Sequence, residues 1–181
     1  NSERYLSYNI VVEDMIDVYA QNGNLLGQYS SIAMALEDCV GGETIVINDD
    51  LVIFETITIN KPVNIVSGKE EGITLQRAES LSTWVFDVEG KDVKFGGESP
   101  YAKGNIIVAG TENDSNTSLF CISENGILTL SGLTITGNKG ANGGAISIFE
   151  GQLNLVNSEI TSCYAVGTDG KGGAIYAIGT A

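Results

Sequence analysis

From residue 43 onward, apolar and polar positions alternate in short bursts, each closed by Gly, Asn, Asp or Ser. Alternation with a period of two marks strands with one buried face. The runs TIVIN (44–48), ETITIN (55–60), VNIVSG (63–68), ITLQR (73–77), WVFDVEG (84–90) and DVKFGG (92–97) read this way. So do NIIVAG (105–110), LFCISENG (119–126), ILTLSG (127–132), LTITGN (133–138), GAISIFEG (144–151), LNLVNS (153–158), EITSC (159–163) and GAIYAIG (173–179). Ahead of them, residues 9–29 hold two apolar runs around Asn22-Gly23, which predicts a hairpin. SSIAMALEDCVGG (30–42) places Ile32, Ala35, Leu36 and Cys39 on one helical face. Ser30 or Ser31 is its expected N-cap and Gly41-Gly42 its expected end.

The strands recur in three series. One starts near Thr44, Ile73, Ile106, Leu133 and Ile160; a second near Thr56, Val85, Phe120, Ala145 and Ala174; a third near Asn64, Val93, Leu128 and Leu153. All advance by roughly 30 residues per step, a spacing typical of repeat architectures. The insertions 97–105 and 111–118 lengthen the series together and are expected to leave one side of the shaft. Three strands per turn without intervening helices predict an all-β parallel β-helix. Ile57, Ile59, Ile146 and Ile148 would stack on their counterparts inside it. An antiparallel sandwich would have no reason to keep three registers in step. Residues 1–42, the strand pair and helix 30–39, are expected to cap the shaft, with Glu37 and Asp38 facing water. Residues 43–181 would form about four to five coils, stopping partway round the last.

The chain has 181 residues, 23 glycines, two prolines, no histidine and a net charge of −14. That charge disfavours nucleic acid, whose phosphates need a basic footprint. It fits solubility first and cation binding second. No run approaches the ~18 apolar residues of a membrane span. No signal peptide opens the sequence at Asn1, and a targeting segment is expected to have been removed ahead of it. Cys39, Cys121 and Cys163 are odd in number and widely spaced, which suits buried thiols; one intramolecular disulfide stays open in a secreted protein.

YSSIAMALEDCVGGETIVINDDLVIFETITINKPVNIVSG (29–68) resembles the start of right-handed parallel β-helix domains in bacterial cell-surface proteins. ITGNKGANGGAIS (135–147) is similar to the polymorphic outer-membrane and adhesin repeat, F/I-x-x-N followed by GGAI. Ile135, Asn138, Gly143, Gly144, Ala145 and Ile146 match it, whereas Cys163 stands where the next Asn would be. The resemblance implies a right-handed winding and a non-catalytic, adhesin-like module, extracellular or at the bacterial surface. Its partners would be carbohydrate or a surface protein of a host or neighbouring cell. It implies no cofactor, no metal and no membrane insertion of this segment.

The alternative is the N-terminal part of a polysaccharide lyase or glycoside hydrolase whose catalytic coils lie outside the chain. Lyase chemistry needs Ca²⁺ ligands beside an Arg or Lys base, and the arginines are Arg4 and Arg77. Arg77, near Glu79, is expected in a solvated turn, and Asp49-Asp50 and Glu70-Glu71 at solvated corners. GKGG (170–173) reads as a coil corner, not a phosphate loop.

Tyr101 and Lys103 in one insertion, and Asn113 and Asp114 in the other, are the candidate ligand-binding residues, because loops on a rigid scaffold commonly carry binding. The Asn113 and Asn116 sequons are incidental in a bacterial protein. Asn138 is expected to bond backbone groups at a corner. The pairs Gly143-Gly144 and Gly172-Gly173 are expected to make tight corners. The unpaired GAIYAIG edge predicts edge-to-edge self-association.

Overall fold

The computed structural model describes residues 15–111 and 114–179. Strands β1 (Ile16–Tyr19) and β2 (Leu25–Tyr29) form the expected hairpin, turning with Gly23 at φ 87°. Residues 9–14 of that prediction lie outside the described residues. Helix α1 (Ile32–Asp38) follows, and the Ser31 hydroxyl accepts a hydrogen bond from the Met34 amide. Ile32, Ala35, Leu36 and Cys39 are buried against the strands, while Glu37 and Asp38 face water.

The helix does not end in a glycine cap. Cys39 is already extended, and the Lys61 ammonium donates to the carbonyls of Leu36 (2.9 Å), Glu37 (3.2 Å) and Cys39 (2.5 Å). A cation there satisfies orphan carbonyls and opposes the negative end of the helix.

The rest of the described chain makes successive passes through three parallel sheets. The first pass is β3 (Glu43–Ile47), β4 (Leu51–Ile53) and β5 (Ile57–Ile59); the second is β6 (Val63–Ser67), β7 (Ile73–Arg77) and β8 (Phe86–Val88). The third adds a short strand: β9 (Val93–Gly96), β10 (Ile106–Ala109), β11 (Asp114–Asn116) and β12 (Phe120–Ile122). The fourth is β13 (Gly126–Ser131), β14 (Leu133–Thr136), β15 (Lys139–Gly140) and β16 (Ile146–Ile148). The fifth is β17 (Gly151–Val156), β18 (Glu159–Thr161), β19 (Tyr164–Ala165) and β20 (Ile175–Ala177).

Equivalent strands stack. The first sheet runs β17-β13-β9-β6-β3-β1-β2, the second β18-β14-β10-β7-β4, the third β20-β16-β12-β8-β5 and a small fourth β11-β15-β19. Strands of successive passes pair in parallel, and among the described strands the antiparallel pairs are β1–β2 and β1–β3. The hairpin therefore extends the first sheet across residue 42.

One register differs from expectation. Thr44 pairs with Asn64, so TIVIN belongs to the third series rather than the first. The true first member of that series is β4, whose Leu51 pairs with Leu75.

Alternation fills the interior. Ile57, Phe86, Phe120, Ile146 and Ile175 stand in one column. Ile45, Ile65, Phe95, Leu130 and Leu155 stand in another. Phe95 meets Phe86 and Phe120 at ring distances of 4.9 and 5.4 Å, joining the first and third sheets across the core. Each such side chain contributes about 1.5–3 kcal/mol by leaving water. The columns open at one end: Leu130 is 0% exposed and its neighbour Leu155 is 42% exposed. Among the described residues, the outer edges of β17, β18, β19 and β20 pair with no strand.

Candidate functional site

The two insertions leave different corners, not one side. Segment 97–105 joins β9 to β10, between the first and second sheets; segment 111–118 joins β10 to β12, between the second and third. In the first, the Tyr101 ring stacks on Tyr19 at 4.0 Å, and its hydroxyl donates to the Gly23 carbonyl at 3.3 Å. The candidate ligand residue thus ties its loop to the hairpin. Lys103 is exposed, with its backbone amide on the Ser67 carbonyl. In the second insertion Asp114 opens β11 opposite Lys139, and Asn113 lies outside the described residues. Tyr101 and Lys103 thus stand at a different corner from the Asp114 backbone.

What the second corner assembles is a buried polar seam. In ITLQR, Ile73, Leu75 and Arg77 alternate with Thr74 and Gln76, so Arg77 points inward with the apolar residues. It is 1% exposed, not solvated. Its guanidinium donates to the Leu81 carbonyl at 3.1 and 2.8 Å, the Thr83 carbonyl at 2.7 Å and the Thr117 hydroxyl at 2.8 Å. Longer bonds reach the Thr117 and Ser118 carbonyls, both at 3.4 Å. Among the described residues no carboxylate pairs with it. Burial alone lowers its pKa, and the fan of carbonyl dipoles replaces the lost hydration.

Asn138 continues the seam. It is fully buried, and its amide donates to the Thr117 carbonyl at 2.9 Å and the Gly144 carbonyl at 2.6 Å. The backbone role expected of it is the role it has. Ser118 then bonds Ser147 at 2.9 Å, and Ser147 donates to the Asn142 carbonyl. One pass further on, buried Cys163 occupies the place where Asn was expected.

The glycine corners close over this seam. Gly143 and Gly172 hold φ values of 69° and 78°, and a Cβ on either would strike the carbonyl oxygen of Ile146 or Ile175. Gly144 abuts the backbone of Cys163 and Tyr164, and Gly173 has φ 51°. Outside the seam lies an open hollow of about 690 Å³, lined by exposed Phe54 and Val52 with Gln76, Glu79, Ser80 and Thr111.

Asp49 is paired with Lys69 at 3.0 Å, which holds its carboxyl below its ordinary value. Asp50 accepts the Thr74 amide. No group of three or more His, Cys, Asp or Glu arranged to hold a metal occurs among the described residues, and no described helix is long and apolar enough to cross a membrane.

Sequence reasoning missed the seam and the Lys61 cap. For Arg77 the alternation of ITLQR was an available signal; for Lys61 no local pattern exists, because its partners lie in α1. No family model, curated protein or solved structure matches this chain.

Proposed function

We propose that the chain is a right-handed parallel β-helix, with three strands per coil under a hairpin-and-helix cap, acting as a non-catalytic, adhesin-like display module of a secreted or surface-anchored bacterial protein. The rotation of strands through three sheets, the in-register apolar columns and the glycine corners of GGAI support the winding. Its partners are carbohydrate or a surface protein, presented to loops on a rigid scaffold. The open edges of the fifth pass make edge-to-edge association of copies the accompanying expectation.

The observation that carries the non-catalytic reading is Arg77. It is the only arginine among the described residues, and every hydrogen bond it makes goes to backbone or Thr117. A guanidinium held this way cannot approach a substrate as a base. The test is incubation of the purified full-length protein with polygalacturonate and Ca²⁺, alongside adhesion of chain-coated beads to bacterial and host cells. Adhesion without depolymerisation is the expected result. Depolymerisation would establish the alternative, a polysaccharide lyase or hydrolase.

A further inference from the structure

The crossings from the third sheet to the first line up as a groove on another face of the molecule. It is open, holds about 1070 Å³ and spans three successive crossings, at Lys91, Asn125 and Phe149–Glu150, with Ile178 just past β20 at its end. Its chemistry is mixed. Phe149 supplies a half-buried ring, set edge-on to Trp84 at 6.3 Å and 64°. Lys91, Asn125, Glu150 and Gln152 are exposed, and among the described residues their side chains make no hydrogen bond within the protein. Their donors and acceptors are free for a ligand.

Three features narrow the ligand. An aromatic face flanked by free amides suits the apolar C–H face and hydroxyl rim of a pyranose ring. Crossings repeat along the groove every ~4.8 Å, the spacing of paired strands. A hexopyranose unit advances an extended glycan by a similar length, so successive units meet successive crossings. The third feature is charge. Glu150 lines the groove with one cation, Lys91, and at the neighbouring crossings the Glu89 carboxyl is pushed up by burial and by Glu124 and Asp87, so carboxylates outnumber cations along this corner. That field repels a uronate, as does the net charge of −14.

We infer that this groove is a binding site for a neutral hexopyranose glycan, with Phe149 as the stacking platform and Asn125 and Gln152 as hydroxyl partners. This deepens the display reading by naming its ligand class, and it rests on that reading.

The chain has one tryptophan, Trp84, so its fluorescence reports the neighbouring Phe149. The experiment titrates the full chain with cellohexaose, mannohexaose and laminarihexaose, with hexagalacturonate as the anionic control. At least one neutral hexaose is expected to change Trp84 emission. Phe149→Ala is expected to weaken that binding by about tenfold. Gln152→Ala, an exposed change that leaves the core intact, is expected to weaken it severalfold. No response to any neutral hexaose up to about 1 mM overturns the inference. So does hexagalacturonate binding as tightly, or undiminished binding in both variants. Such failure leaves the display reading standing on its loops, whereas polygalacturonate cleavage would remove that reading without touching the groove result.

Discussion

Arg77 and Asn138 share an acceptor: the guanidinium Nη1 and the amide Nδ2 both donate to the carbonyl oxygen of Thr117, at 3.4 and 2.9 Å. They come from the second and fourth passes and meet on a residue of the third. Thr117 lies between β11 and β12, at the end of an insertion. Two inward-pointing side chains thus complete hydrogen bonding that the parallel ladders leave open. An apolar interior can tolerate that corner because its polar groups satisfy one another.

Replacing Arg77 by Met should therefore destabilise the protein by about 2–5 kcal/mol, since the Leu81 and Thr83 carbonyls lose their donors. Asn138→Ala should cost about 1–3 kcal/mol. Urea midpoints give both values. Because the two donors share the Thr117 carbonyl, each single variant leaves it the other donor and the double variant leaves it neither, so the double variant should lose more than the sum of the singles. Strict additivity would mean the shared acceptor carries no coupling.

Lys61→Ala should loosen α1. Three helix-end carbonyls would lose their cation, at a cost of about 1–2 kcal/mol. Amide hydrogen exchange should rise in 35–39 and stay unchanged in β13 and β14. Unaltered protection of the helix would show that burial of Ile32 and Leu36 holds it alone.

Alternation made most strands visible because burial on one face is a local property of five or six residues. It did not expose β4: Leu51–Ile53 is three residues long and merges with the run leading into β5. Missing it moved Thr44 into the wrong series, although the later registers came through nearly intact. The short strands β11, β15 and β19 have no signal of their own, since they exist only where one loop lies on the next. Arg77 shows a different difficulty. Its parity placed it inside, but its charge argued for water, and the carbonyls that settle the conflict come from residues 81–83 and 117–118. The Asn138 corner was legible because the asparagine and the following glycines sit in one continuous stretch.

The Tyr19–Tyr101 stack predicts a mechanical role for the first insertion. Tyr101→Ala should remove an aromatic contact worth about 0.5–1.5 kcal/mol beyond its buried area. Exchange in β1, β2 and 98–103 should rise together, because the insertion and hairpin then open independently. A rise confined to the insertion would mean that β3 alone fixes the hairpin.

Alkaline pH should unfold the protein through three protons it holds too tightly. Burial, then Glu43, pushes the Cys39 thiol from 9.0 up to about 11. Burial, then Asp87, pushes Cys121 up to about 12. The Tyr29 hydroxyl donates to Asp38 at 2.7 Å, and that bond, reinforced by burial, raises it from 10.0 to about 12. Above pH 9 the unfolded chain releases the thiol protons while the folded chain retains them. The folded state then binds more protons, so stability falls as pH rises. The contribution is complete below pH 9 and is lost through about pH 12, on the order of 3–4 kcal/mol per thiol. Urea midpoints at pH 8 and pH 11 should differ clearly. Cys39→Ala with Cys121→Ala lowers both midpoints through lost packing, yet it should narrow the gap between them. Tyr29→Phe removes the bond to Asp38, so it should lower the pH 8 midpoint and narrow the gap further at pH 11.5. An equal gap in wild type and variants would place the alkaline transition on other groups.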